Sequence, residues 1–116
     1  MTAQLYNLDQ QTVLVRQLEI ARDSRARNRG LIGHAPLGAG QGMMIKPCRW
    51  IHTFRMSFAI DVIYVGKEGR VVAITEDLPP KRIDRPVLRA RFVVEMAAGA
   101  TRASGLQIGH RLQVRS

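Results

Sequence analysis

A chain of 116 residues, 46% of them hydrophobic, has room for one core and not for two, and no apolar run approaches the roughly 18 residues of a membrane-crossing helix. The opening residues lack a basic region followed by an apolar one, and Cys48 as the sole cysteine excludes an intramolecular disulfide, so a soluble cytoplasmic protein is expected. The formal charge of +9, from 18 basic and 9 acidic residues, raises the question of nucleic acid. The cations are dispersed, with modest clusters at Arg22, Arg25, Arg27 and Arg29 and again at Lys81, Arg82, Arg85, Arg89 and Arg91. Of the six aromatic residues, Phe54, Phe58, Tyr64 and Phe92 lie in apolar runs and are assigned to the core, which leaves no aromatic interleaving for bases. The expectation is a solvated basic surface with weak, nonspecific attraction to polyanions.

In chain order, residues 1–11 are expected to be a loose segment and 12–116 a single domain. Residues 12–20 are rich in β-branched and alternating apolar positions and predict a strand. Composition then shifts to Ala and Arg, predicting a helix over 24–33 with Asp23 or Ser24 as its N-cap. The glycines of 38–42 mark a loop, and Met43, Met44 and Ile45 resume an extended run that Pro47 closes.

The central stretch, 51–65, places His52, Phe54 and Met56 on one face of an extended chain and Thr53 and Arg55 on the other. Asp61 follows, set against the apolar run Val62, Ile63, Tyr64 and Val65, where an unpaired charge is costly to bury. A short polar turn, 66–69, separates that run from Val71, Val72, Ala73 and Ile74, the clearest hairpin signal in the sequence. Pro79 and Pro80 mark a loop. Phe92, Val94 and Met96 alternate with Val93 and Glu95, which predicts a strand with Glu95 opposite the Phe92 face. Residues 100–106 have room for one helical turn, 107–110 for a turn, and 111–114 close the chain as a strand. Few helices and short connections predict a mainly β fold, a mostly antiparallel sheet curled into a partly closed barrel or sandwich with one or two short helices.

The densest polar chemistry is His52, Thr53, Arg55, Asp61 and Glu95, with Trp50 at the rim. These residues suggest a groove for a small polar molecule, sugar or peptide, where a flat ring and a forked donor suit such ligands. Asp61 also suits a structural role, accepting backbone N–H groups at a strand mouth. If Asp61 and Glu95 met in one cleft, their like charges would raise one pKa and make an acid/base pair, which is the enzymatic alternative. The spacing of Cys48 and His52 lacks the orienting group a nucleophile needs, and Cys48, His52, His34 and His110 have no zinc spacing, so neither metal nor cofactor is expected. No phosphate loop, dinucleotide fingerprint or nucleophile elbow is present.

Gly30-Leu31, Gly42-Met43-Met44, His52-Thr53-Phe54-Arg55-Met56, Ile60-Asp61-Val62, Gly69-Arg70-Val71-Val72, 93–99 and 105–109 resemble, in order and spacing, the prokaryotic family known as domain of unknown function 192. The resemblance covers roughly residues 30–114 and follows the branch with His-Thr-Phe-x-Met. His34 stands where that family's pattern has Arg, Ala59 where it has Pro, and His110 where it has Asp after Gly. It implies a compact, mostly β domain and brings no activity with it. The function expected from sequence is a noncatalytic binding or accessory domain.

Overall fold

Branched apolar side chains recurring at every second position draw most of the chain into one sheet, because a pleated strand sends alternate residues to opposite faces. The computed structural model describes residues 3–21, 36–54 and 56–116; the helix expected at 24–33, with its cap, and both His34 and Arg55 lie outside them. The strands are β1 (Ala3–Asn7), β2 (Thr12–Ala21), β3 (Gln41–Ile45), β4 (Ile60–Val65), β5 (Val71–Leu78), β6 (Phe92–Ala97) and β7 (Leu112–Arg115). A single turn of 3-10 helix, Lys67–Gly69, joins β4 to β5, and a short helix, α1 (Ala100–Ser104), follows β6. The sheet order is β5-β4-β6-β3-β2-β1-β7, and the sheet curls into a half-barrel. Among the described residues no helix is long and apolar enough to cross a membrane.

The mainly β expectation and the β4–β5 hairpin hold, with three corrections. Residues 3–7, expected to be loose, form β1, because Leu5 is fully buried and the strand is paired on both sides, by β2 and β7. One pair, β2 with β3, is parallel; the connection through 22–40 is long enough for a crossover. Residues 51–54 and 56–59, expected to run extended into β4, are not part of the sheet. The Met56 N–H bonds back to the Thr53 carbonyl at 3.2 Å, a turn that interrupts the extended path before β4.

Each face of the sheet has its own core. The first takes residues from all seven strands, among them Leu5, Val15, Leu18, Met44, Ile63, Val65, Val94 and Leu112, and so fills the inside of the half-barrel. At one end the Val71 N–H bonds to the His110 carbonyl at 2.9 Å and the Gly109 N–H to the Val71 carbonyl at 2.8 Å, which draws the edge strand β5 toward the turn before β7. Gly69 makes this approach possible: its φ is +75°, and a β-carbon there would collide with the Leu112 carbonyl.

The opposite face is covered by two loops. Ile51 and Met56 from one and Ala90 from the other pack on Met43, Ile45, Ile60, Val62, Tyr64 and Val93. The loops also pair with each other as an antiparallel ribbon: Thr53 N–H to Arg82 carbonyl at 2.8 Å, Asp84 N–H to Ile51 carbonyl at 3.0 Å, Val87 N–H to Arg49 carbonyl at 2.8 Å, with a bridge between His52 and Ile83.

Candidate binding surface

Asp61 is the residue the sequence singles out first, and every polar need it has is met within the fold. It is fully buried. Its Oδ1 accepts the N–H groups of Asp77 at 2.9 Å and Gly99 at 3.1 Å, and its Oδ2 accepts the Thr101 N–H at 3.0 Å and the Thr101 hydroxyl at 2.7 Å. Burial pushes its pKa up, but the bonds from Asp77, Thr101 and Gly99 together outweigh burial and hold it below the ordinary carboxylate range. The carboxylate therefore ties β4, β5 and the start of α1 together, and Gly99 turns through φ +88° to present its N–H. A cavity of about 340 Å³ beside this turn is lined by Glu76, Asp77, Ala98, Gly99 and Arg102, with Arg102 paired to Glu76 at 3.5 Å.

Glu95 lies on the other side of the sheet. In β4, Asp61 shares its face with Ile63 and Val65 of the first core, whereas Glu95 pairs in register with Val62 and Met43 of the second. The sheet separates the two carboxyls, so they do not meet in one cleft, and the acid/base pair considered from sequence has no geometry to support it. Glu95 is 3% exposed, and its Oε1 has no hydrogen-bond partner among the described residues. Burial pushes its pKa up to about 7.

The remaining sequence candidates divide between internal and outward roles. Thr53 is buried and internal: its hydroxyl donates to the Pro79 carbonyl at 2.6 Å and accepts the Arg82 N–H at 2.9 Å. Cys48 donates to the Trp50 carbonyl at 3.1 Å, and burial, with a contribution from the Glu95 charge, pushes its thiol up, which disfavours a nucleophilic thiolate. His110 is engaged by Asn7 at 3.1 Å and by the Gln107 N–H at 3.2 Å. Among the described residues no three His, Cys, Asp or Glu side chains gather closely enough to hold a metal ion.

Trp50 and His52 face outward, and Phe54 joins them. Ile51 and Thr53 fill the inward positions, so the alternation that puts His52 and Phe54 on one face puts them on the outer one, while the turn at 53–56 returns Met56 to the core. Phe54, assigned to the core from sequence, is 44% exposed and Trp50 is 49% exposed. The rings form a row, with centroids 6.0 Å apart from Trp50 to His52 and 5.2 Å from His52 to Phe54. The loops bearing this row, 46–59 and 79–92, contain eight Lys and Arg and one acid, Asp84.

Asp84 was not singled out from sequence, yet it fixes the ribbon. Its Oδ2 accepts the Tyr64 hydroxyl at 2.7 Å and the Thr75 hydroxyl at 2.7 Å, and its Oδ1 accepts the Arg85 N–H at 3.1 Å. Burial first, and then this bond to Asp84, push the Tyr64 phenol far up, so it remains a donor. The one acid of the two loops is thus turned inward and spent, which leaves the outer face with rings and cations.

Asp61→Ala strands several buried N–H donors and should cost roughly 3 kcal/mol in equilibrium unfolding, with Asp61→Asn losing less because an acceptor remains. Equal stability of all three proteins would show that these bonds contribute nothing. Glu95 has its folded pKa raised from 4.5 to about 7, so its contribution is fully present below the unfolded value and is lost as pH rises through the folded one. That gap corresponds to roughly 3 kcal/mol lost between about pH 4 and about pH 8. Glu95→Gln should flatten this part of the stability–pH curve; an unchanged slope would rule out Glu95 as its source.

Comparison with solved structures gives two likenesses. A protein of unknown function from Novosphingobium aromaticivorans superposes with a TM-score of 0.82 at 22% identity, covering 97% of this chain and 84% of that one. A candidate transcription regulator from Sinorhizobium meliloti superposes with a TM-score of 0.79 at 21% identity, covering 97% of this chain and 91% of that one. At these identities both establish the fold alone. Among curated proteins none matches. The family model for domain of unknown function 192, described as an uncharacterized ACR, matches residues 6–114, and the chain belongs to that family.

Proposed function

We propose that this protein is a noncatalytic binding domain whose ligand lies across the outer face of the loop ribbon. The observation that carries the reading is the row Trp50, His52 and Phe54, aromatic surface left exposed on a segment whose inward positions, Ile51 and Thr53, are buried. Exposed rings in a row offer flat apolar area at little conformational cost, a common feature of binding surfaces. The ribbon's hydrogen bonds and the Asp84 contacts hold the row in place before any ligand arrives, which lowers the ordering cost of binding. Of the groove residues expected from sequence, His52 and Trp50 belong to this surface, whereas Thr53 and Asp61 are consumed by internal bonds.

Trp50 is the sole tryptophan, so its emission reports directly on the surface. Screening glycans, peptides and nucleotides should identify a class that shifts Trp50 emission, with Phe54→Ala weakening that ligand about tenfold. The reading fails if no class moves Trp50, or if ligand-induced amide shifts map to the cavity beside Glu76 and Arg102 instead.

A further inference from the structure

A second cavity, of about 390 Å³, opens at one end of the ribbon and is lined by Arg49, Lys67, Arg70, Arg89 and Arg91, with Leu88 among its apolar contacts. Among the described residues no carboxylate lines it. Arg70 donates to the Gly109 carbonyl at 3.1 Å, and none of Arg49, Lys67, Arg89 and Arg91 forms an ion pair with a described residue. Cations gathered without counter-charge repel one another, and an anion relieves that repulsion. The cavity is next along the chain to the aromatic row: Arg49 lines it, its carbonyl accepts the Val87 N–H at 2.8 Å to close the ribbon, and Trp50 is the following residue.

From this juxtaposition we infer that the protein binds single-stranded nucleic acid, with phosphates held by the Arg49, Lys67, Arg89 and Arg91 end and unpaired bases stacked along Trp50, His52 and Phe54. The inference rests on the ribbon being the contact surface and names what lies on it. An acidic peptide would satisfy the cations but not the rings, and a glycan would satisfy the rings but not the cations. A duplex keeps its bases stacked on each other and has none free for the ring faces. A single strand supplies both charge and flat faces, the combination used by stacking platforms in electropositive grooves.

The test uses the intact chain and an oligothymidylate of about 10 nucleotides, followed by anisotropy and by Trp50 emission at about 50 and about 200 mM salt. Binding should quench Trp50 and weaken steeply with salt; Phe54→Ala should weaken it about tenfold. Replacing both Arg49 and Arg89 by Ala should lower the slope of log affinity against log salt by about 1.4. Arg102→Ala, at an exposed cation outside this cavity, should change neither.

Equal affinity for the same sequence as a duplex, for oligoglutamate of matched charge, or for inorganic tripolyphosphate overturns the inference, since each would show charge recognition without stacking. Absence of oligonucleotide binding overturns it as well. If a glycan or neutral peptide then still shifts Trp50, the binding-domain reading stands without this ligand; if nothing shifts Trp50, both fail.

Discussion

The buried contact between Asp84 and the hydroxyls of Tyr64 and Thr75 orients the loop ribbon on the sheet. The ribbon does not join the seven-stranded sheet as a strand. It is held by apolar contacts from Ile51 and Met56, by the Thr53 hydroxyl on the neighbouring loop, and by this carboxylate bonded at 2.7 Å to β4 and β5. Apolar contacts alone are nondirectional and tolerate sliding. Hydrogen bonds to a buried carboxylate have fixed geometry, and each is stronger than a neutral bond, so they set the orientation of the loop. With Asp84 directed inward, the only acid of the two loops is removed from their outer surface.

Asp61 and Glu95 show how the same side-chain chemistry takes different roles on the two faces of one sheet. Asp61 satisfies its charge with donors from β5 and from the turn into α1 and is held ionised. Glu95, one residue out of phase in the pairing of β4 with β6, faces the second core with no partner for Oε1 among the described residues, and burial raises its pKa. A period of two makes a one-residue offset equivalent to a change of face. That offset separates the two carboxyls and removes the simplest route to acid/base chemistry.

The sheet was legible in the sequence where alternation and turn chemistry agreed. The β4–β5 hairpin, the β6 alternation that sets Glu95 opposite Phe92, and the helical turn after Gly99 all come from local pattern, and local pattern decides them. The structural alternative for Asp61 was legible too, because a carboxylate beside an apolar run needs donors. What was hidden depended on tertiary partners. Residues 3–7 carry no strong strand signal and are ordered by β2 and β7 on either side. Phe54 lies in an apolar run and still faces outward, because Ile51 and Thr53 take the inward positions and Met56 turns back. Asp84 sits in a loop of Pro and Arg, and nothing local reveals that Tyr64 and Thr75 converge on it.

The central claim is that Asp84 holds the ribbon as a platform separable from the sheet, and amide hydrogen exchange on wild type and Asp84→Ala measures this most directly. Free of the carboxylate, the amides of Thr53, Val87 and position 84 should exchange faster, while those of β4 and β6 keep their protection, because their bonds lie within the sheet. Unchanged protection of the ribbon amides would contradict the claim, and so would an equal loss across ribbon and sheet.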